Sequence, residues 1–296
     1  MFCGIGGFRL ALNHFDTECV FSSDYDENAQ ICYKALHGEE PYPNDIRELD
    51  YHTIPDIDLL CGGFPCAKFS IAGDRMGFES DDPRALMFFE LAKMLEIKKP
   101  TMFWFENVKG LLNHDEGNSF KLILRKLDEL GYDVEWQCPN AKHYGIPVMR
   151  ERVFIVGHLR ERPTERIFPL EGKIYRYDES VTVLQWRHCY FRRFNGIVPT
   201  LTAQMGTGGL NVPYVVIGDT VRKLTPRETF RLQGLEENDI DKLINTGLSD
   251  YKLYERAGRT IFQPYSIEIA ERIYKSFNND YVNNFELNVI PTLNEW

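Results

Sequence analysis

The sequence predicts an α/β protein with a mostly parallel sheet, followed by a small, irregular, β-rich domain. In the first half of the chain, short apolar runs typical of buried strands alternate with amphipathic stretches typical of helices. Such alternation predicts parallel strands joined by crossover helices. After about residue 160 the chain becomes rich in Arg, Tyr, Thr, Gly and Pro. We therefore expect a first domain over residues 1–158, a second over 159–250, and a segment 251–296 that returns to the first.

The individual elements follow from the apolar pattern. Buried strands are predicted at residues 58–61, 102–105 and 153–156, and helices at 86–97 and 120–130. Gly131 is a good stop for the second of these helices. A helical pattern returns at residues 267–277, which we expect to pack on the first domain.

Charge is distributed unevenly along the chain. The 296 residues carry a net charge of −10. Residues 142–231 hold 15 Lys and Arg against 8 Asp and Glu, a net +7, which leaves −17 for the remainder. This pattern favours a basic lobe that faces a polyanion on an acidic body, although a solvated surface with chance clustering remains the alternative.

Cysteine usage and hydropathy narrow the class of protein. Seven cysteines occur without a C-x-x-C pair, which argues against a disulfide framework and against a structural zinc site, so no metal is predicted. No apolar run approaches the length of a membrane span, and we expect no cleaved signal peptide. We expect a cytoplasmic protein.

A glycine-rich turn opens the chain. Phe2-Cys3-Gly4-Ile5-Gly6-Gly7 precedes a helical stretch, so its backbone can approach a ligand closely at a helix start. Asp24 follows residues 18–21, where we expect the second strand, at a spacing that suits a ribose; Tyr25 could stack on an adenine, and residues 45–46 could read its amino group. These side chains favour an adenosine-containing cofactor, but Asp24 and Asp45 could equally be turn or cap residues.

Reactive side chains follow the predicted strands. Cys66 ends the loop after the first buried strand, Glu106 follows the second, and Arg150 and Arg152 precede the third. A thiolate can add to carbon 6 of a cytosine and make carbon 5 nucleophilic, while a carboxyl group and guanidiniums stabilise the ring. The target base must first leave the helix.

The sequence with these motifs resembles the DNA (cytosine-5)-methyltransferases, most closely the bacterial HhaI-type enzymes. The resemblance runs nearly end to end. It rests on the glycine-rich turn and, in the order of the family's motifs, on Gly63-Phe64-Pro65-Cys66, Glu106-Asn107-Val108, Arg150-Glu151-Arg152, Thr200-Leu201, Arg222 to Glu228 with Arg231-Leu232-Gln233-Gly234, and residues 257–261. It implies an S-adenosylmethionine-dependent, Rossmann-like fold with a β-rich target-recognition domain.

The resemblance also implies roles for individual residues. Cys66 would be the nucleophile, Glu106 would act at ring nitrogen 3, and Arg150 and Arg152 would complete the catalytic set. S-adenosylmethionine would be bound by Phe2, Gly4, Ile5, Gly6, Gly7, Asp24, Tyr25, Asp45, Ile46, Phe64, Pro65, Met87, Arg259, Thr260 and Ile261. DNA would be contacted by Lys68, Ser70, Arg75, Arg193, Thr200, Leu201 and Gln204, with Arg187, Arg192 and Thr207 as further candidates.

Three positions depart from the family pattern. Ala67 and Val148 stand where glutamine is usual, and Ala257-Gly258-Arg259-Thr260-Ile261 stands where the family has Gly-Asn-Ser-Val. A cation beside the expected sulfonium is unfavourable unless an anion offsets it. Arg259 therefore either turns to solvent or DNA, or binds the carboxylate of carboxy-S-adenosylmethionine, which would make the product a carboxymethylcytosine.

The sequence leaves two more interpretations of the function open. The chain could be a catalytically silent DNA-binding homologue, or it could act on RNA, although Gly-Phe-Pro-Cys looks like the bacterial DNA type. The expected partner is double-stranded DNA, the expected state is a monomer without a membrane association, and a cognate restriction endonuclease is a candidate partner.

Overall fold

The structure is a computed structural model that describes residues 1–43, 45–65, 83–162, 164–187, 190–207 and 211–278. The strands are β1 (Leu59–Gly62), β2 (Met102–Val108), β3 (Tyr132–Gln137), β4 (Val148–Met149), β5 (Arg152–Leu159), β6 (Thr182–Arg187), β7 (Tyr190–Asn195), β8 (Val198–Pro199), β9 (Tyr214–Ile217) and β10 (Thr220–Lys223). The α-helices are α1 (Gly7–Leu12), α2 (Glu27–His37), α3 (Pro83–Lys98), α4 (Gly110–Asn113), α5 (Asn118–Glu129), α6 (Pro226–Arg231), α7 (Glu237–Ile244), α8 (Asp250–Arg259) and α9 (Gln263–Asn278).

The larger sheet has the order β1-β2-β5-β3. β1 and β2 are parallel, and β5 runs antiparallel to both β2 and β3. Three of its four strands therefore share one direction, which confirms the predicted mostly parallel α/β sheet. Hydrogen bonds continue the sheet beyond β1, because Met1 N donates to Cys61 O at 2.9 Å and Cys3 N donates to Ser23 O at 3.0 Å.

Apolar side chains cover both faces of this sheet. In β2, four consecutive side chains from Met102 to Phe105 are fully buried, which is the pattern of a strand enclosed between helices. Phe103 and Phe105 pack with α3 and α5, whereas Met102 and Trp104 pack with α1 and α9. The predicted strands at 58–61, 102–105 and 153–156 are confirmed, with β2 and β5 longer than expected because pairing extends them towards polar residues.

One element differs from expectation. Residues 18–21, placed before Asp24 as a strand, form no ladder; a single parallel bridge joins Ser23 to Tyr42. The backbone hydrogen bonds lie further along the chain, because Cys3 N donates to Ser23 O at 3.0 Å and Tyr42 N donates to Ser22 O at 2.8 Å, so pairing involves residues 22–24 instead of 18–21.

The smaller sheet has the antiparallel order β10-β9-β6-β7. A separate parallel pair, β4 with β8, ties Val148 to Val198 and so joins the segment before β5 to the region of the smaller sheet. A core that contains Val183, Val215 and Leu224 covers one face of this sheet.

The C-terminal helices pack back on the first half of the chain. α9 contacts α1, and Tyr265 and Ile269 join the core beneath Trp104. α7 contacts α2, and Ile240 packs in the same cluster as Cys32. None of the helices in the described ranges is long and apolar enough to cross a membrane.

Candidate active site

Glu106 and Arg152 form an ion pair at the end of the larger sheet. Arg152 Nε lies 3.0 Å from Glu106 Oε1, and the two side chains are only 12% and 13% exposed. The antiparallel register places Val108 opposite Arg152, so Glu106 and Arg152 are diagonal neighbours on one face. Burial raises the pKa of the Glu106 carboxyl, and the guanidiniums of Arg152 and Arg150 oppose this rise without cancelling it. The site therefore favours a carboxyl group that can carry a proton closer to neutral pH than an exposed glutamate.

The loop that leads to the predicted nucleophile lies directly beside this pair. A Cβ placed on Gly63 would lie 3.5 Å from Oε2 of Glu106. Cys66 itself lies outside the described residues, as do the predicted DNA contacts Lys68, Ser70 and Arg75. Ala67, one of the positions that depart from the family pattern, also lies outside them.

Asn107 is a positioning residue that the sequence did not single out. Its buried amide donates from Nδ2 to Phe64 O at 2.8 Å, and its Oδ1 accepts from Val108 N at 2.8 Å. This ties the end of β2 to the loop one residue before Pro65. The available signal was its place in Glu106-Asn107-Val108, where a polar side chain follows a fully apolar run.

Arg150 occupies a different environment from Arg152. Its side chain is 1% exposed. Its guanidinium donates to Leu201 O at 3.0 Å, to Gly258 O at 3.3 Å and to Thr260 O at 2.7 Å. Arg150 therefore joins its own segment to Leu201 and to residues 258–260, and both of its Nη groups donate to protein carbonyls, whereas its buried Nε has no hydrogen-bond partner.

The glycine-rich turn has the geometry of a ligand-binding loop. Gly4 and Gly6 adopt φ of +56° and +87°, and Gly6 is the N-cap of α1. A Cβ on Gly6 would lie 2.1 Å from His37 Nε2, so the position excludes any side chain. A Cβ on Gly7 would lie 2.8 Å from Ile261, which brings the turn against the C-terminal motif.

Asp24 is held in place from two sides. Gly4 N donates to its Oδ2 at 2.7 Å, and Asp26 N donates to its Oδ1 at 3.0 Å. The neighbouring Tyr25 side chain is 70% exposed. A fixed carboxylate, an exposed ring and the glycine turn thus converge, and this arrangement fits an adenosine-containing donor.

Several of the residues predicted to bind S-adenosylmethionine have side chains that face the core. Ile5, Ile46, Phe64, Thr260 and Ile261 are each at most 5% exposed. Phe2 and Met87 are half-buried against the core, and Pro65 is exposed. Asp45 caps a 3₁₀ turn and pairs with Arg47 at 2.6 Å. The buried residues can meet a ligand through their backbone only.

Arg259 is neither free nor buried. Its side chain is 52% exposed, and its guanidinium lies 2.7 Å from Glu255 Oε1 and 3.5 Å from Asp26 Oδ2. Its charge is thus compensated by two carboxylates of the chain itself. Val148, the other described departure, is fully buried between β4 and the small-sheet core.

The predicted DNA contacts differ in accessibility. Gln204 and Thr207 are exposed, as are Arg192 and Arg193 on β7. Arg193 donates to Thr182 Oγ1 at 3.0 Å. The Thr200 hydroxyl donates to Met149 O. Leu201 is fully buried in the small-sheet core, so its side chain supports this segment from beneath instead of lining the surface.

A cavity of about 460 Å³ is lined by Cys3 and Gly6 of the glycine-rich turn and by residues 16–22 and 56–61. Asp24, Glu106 and Arg152 do not line it. Within the described ranges, no group of three or more His, Cys, Asp and Glu side chains has the arrangement of a metal site.

The larger sheet with its covering helices has the α/β fold of the S-adenosylmethionine-dependent methyltransferases. A family model described as C-5 cytosine-specific DNA methylase matches residues 1–187. The chain belongs to this family.

Relatives and solved structures agree with this assignment. The Type II methyltransferase M.Bsp6I of Bacillus sp. (strain RFL6) is 38% identical over 93% of this chain and 98% of its own length. The Type II methyltransferase M.HhaI of Haemophilus parahaemolyticus is 44% identical over 53% of this chain and 47% of its own length. The S. pombe Dnmt2 methyltransferase matches with a TM-score of 0.67 at 19% identity over 94% of this chain and 98% of its own, which shows the shared fold.

Proposed function

We propose that the protein transfers a methyl group from S-adenosylmethionine to carbon 5 of a cytosine that has been flipped out of duplex DNA, with Cys66 as the attacking thiolate. The observation that carries this proposal is the buried Glu106–Arg152 pair. It lies beside Gly63, which precedes Cys66 by three residues in the sequence. Ring stacking would otherwise shield carbon 6, so the base must leave the helix.

The bonds in the proposed reaction balance with solvent water as the one further reactant. The Cys66 sulfur forms a bond to carbon 6, and the ring electrons move to carbon 5, which forms a bond to the donor methyl. The methyl–sulfonium bond breaks with its electron pair on the donor sulfur. A water molecule then takes the proton from carbon 5, the electrons of that bond form the carbon 5–carbon 6 double bond, and the carbon 6–sulfur bond breaks with its electron pair on the Cys66 thiolate.

Glu106 and Arg152 have distinct parts in this scheme. A carboxyl group whose pKa is raised by burial can donate a hydrogen bond at ring nitrogen 3 as charge develops there. Arg152 orients that carboxyl and can donate to the base oxygen. We assign Arg150 a positioning role, because both of its Nη groups donate to the carbonyls of Leu201, Gly258 and Thr260.

S-adenosylmethionine supplies the electrophilic methyl group. We propose that Asp24 holds its ribose, that Tyr25 stacks on its adenine, and that the backbone of Gly4 to Gly7 surrounds its methionine part. Carboxy-S-adenosylmethionine would need a free cation for its carboxylate. Arg259 is paired with Glu255 and Asp26, so the described contacts favour the methyl donor.

Target recognition is proposed for the predicted domain 159–250, where the exposed basic strand β7 lies. The relatives are named Type II methyltransferases, which supports a cognate restriction endonuclease as a partner of this protein. We propose that the protein itself acts as a monomer.

A covalent-trapping assay tests the function. Unmethylated duplex DNA containing 5-fluorocytosine blocks the last step, so the wild-type protein with S-adenosylmethionine is expected to form a denaturation-resistant adduct. Cys66→Ser is expected to form none. Cys19→Ser, which changes a half-buried cysteine whose sulfur contacts Phe21 O and Tyr33 Oη, serves as the matched control and is expected to retain the adduct.

Mass analysis of nucleosides completes the test. Mixed unmethylated DNA incubated with the wild-type protein is expected to contain 5-methylcytosine. A carboxymethylated base with carboxy-S-adenosylmethionine, a methylated base in transfer RNA only, or no product and no adduct with either donor would each overturn the proposal.

A further inference from the structure

Four charged side chains form a closed cluster between α2 and α8. Arg256 Nη1 lies 2.9 Å from Asp26 Oδ2, and its Nη2 lies 2.8 Å from Glu255 Oε1. Arg259 approaches the same two oxygens at 3.5 Å and 2.7 Å. Two positive and two negative charges therefore meet, and each carboxylate serves both arginines.

Burial within the cluster is uneven. The Arg256 side chain is 2% exposed, Asp26 and Glu255 are 20% and 21% exposed, and Arg259 is 52% exposed. A buried arginine that loses a carboxylate partner becomes an uncompensated charge. The two carboxylates are therefore needed to balance the charge of the buried Arg256. They also balance the charge of the more exposed Arg259.

The cluster lies between two segments of the donor site. Asp26 Oδ1 caps α2 by accepting from Asn28 N and Ala29 N, while Asp26 N donates to Asp24. On the other side, Thr260 N and Oγ1 donate to Arg256 O at 3.0 and 2.8 Å. A change in the net charge of the cluster therefore changes the electrostatic potential next to both Asp24 and Thr260.

We propose that Asp26 and Glu255 cancel the charges of Arg256 and Arg259 at the edge of the donor site, and that Asp26 thereby sets the preference of this site for a cationic donor. The inference rests on the proposed function, because S-adenosylmethionine carries a positive sulfonium whereas its product, S-adenosylhomocysteine, is a neutral thioether. Two unbalanced guanidiniums would repel the first ligand and leave the second almost unaffected.

Asp26→Asn separates charge from structure. Asparagine is as good an N-cap as aspartate, so α2 keeps its capping acceptor while the cluster loses one negative charge. Calorimetric titration of the full chain with each ligand, without DNA, is expected to show about fivefold weaker binding of S-adenosylmethionine and less than about twofold weaker binding of S-adenosylhomocysteine. Added salt is expected to narrow this difference.

Two further variants sharpen the test. Arg259→Asn removes the exposed cation and is expected to shift the preference the other way, with S-adenosylmethionine binding about twofold tighter relative to S-adenosylhomocysteine. It also serves if Asp26→Asn folds poorly. Glu40→Gln is the matched control, since it removes an exposed carboxylate that pairs with Lys34 outside the cluster, and both affinities are expected to stay unchanged.

The outcomes distinguish failure of the proposed function from failure of the charge role. If the wild-type protein binds neither ligand, the proposed function falls, and this inference falls with it. If the wild-type protein binds both, and Asp26→Asn weakens both equally or neither, the proposed function stands and the charge role of Asp26 is overturned.

Discussion

The two four-stranded sheets of this protein differ in how far their residues are buried. In the larger sheet, residues Met102 to Phe105 of β2 are fully buried between two layers of helices. In the smaller sheet, the edge strand β7 leaves Tyr190 and Phe191 54% and 49% exposed, with Arg192 and Arg193 beside them. The first sheet is specified by what it buries, whereas the second keeps a surface whose residues are not required for packing.

This difference indicates where change is tolerated. A substitution in the larger sheet acts on the core that also holds Glu106 and Asn107, so its cost appears in stability first. A substitution on the exposed face of the smaller sheet can alter what is bound without loosening the fold. We therefore expect the largest effect on stability at Arg150, which joins the two regions, and the smallest at the exposed strand β7.

Arg150→Met is expected to have the largest effect on stability. It leaves the carbonyls of Leu201, Gly258 and Thr260 without their buried donor, and unsatisfied buried groups cost about 1–3 kcal/mol each. Urea denaturation is expected to show a loss of about 3 kcal/mol or more in the free energy of unfolding. Arg193→Met, at an exposed position, is expected to change it by less than about 0.5 kcal/mol. Equal stability of the two variants would contradict the joining role of Arg150.

Gly157→Ala tests the packing of the larger sheet. A Cβ at this position in β5 would lie 1.9 Å from the Phe103 ring, which is itself enclosed by the core. Overpacking of this kind costs about 1–3 kcal/mol, and thermal denaturation is expected to show it.

The matched glycine in the smaller sheet is Gly218. It lies in the turn between β9 and β10 with φ of +56° and has no atom within 4 Å of an added Cβ. Gly218→Ala is therefore expected to cost only the backbone strain, about 1 kcal/mol. A Gly218 variant as unstable as the Gly157 variant would remove the distinction between the two sheets.

The sequence predicted the larger sheet well because burial on both faces leaves a continuous apolar run. It also predicted that Glu106 and Arg152 would lie at strand ends, and the register shows why they pair. Arg150 and Arg152 looked equivalent, yet Arg150 lies before β5, where Arg150 O accepts from Ala141 N and the side chain turns inward.

The long-range ion pairs could not be predicted from the sequence. Asp26 reads as a helix cap by its position before Glu27, but nothing local links it to Arg256 or Arg259 across more than 200 residues. Arg259 therefore looked like an unbalanced cation, and only the fold brings its two carboxylates to it. The buried positions of Leu201 and Thr260 were likewise hidden, because motif matching identifies a position without indicating which way its side chain points.

Arg192→Ala is expected to have the smallest effect on the fold and a selective effect on binding. Arg192 is exposed on β7 with its guanidinium 5.7 Å from the Phe194 ring centroid, so its charge is displayed at the edge of the smaller sheet. If this edge meets phosphates, DNA affinity falls a few-fold and the slope of log affinity against log salt decreases by about 1, with donor affinity unchanged. Arg125→Ala removes the same charge from an exposed position of α5 on the acidic body and is expected to leave both the affinity and the slope as in the wild type. Filter-binding titrations at several salt concentrations compare the two variants. An equal loss in both would mean that net charge alone governs binding and that the exposed strand has no special contact with DNA.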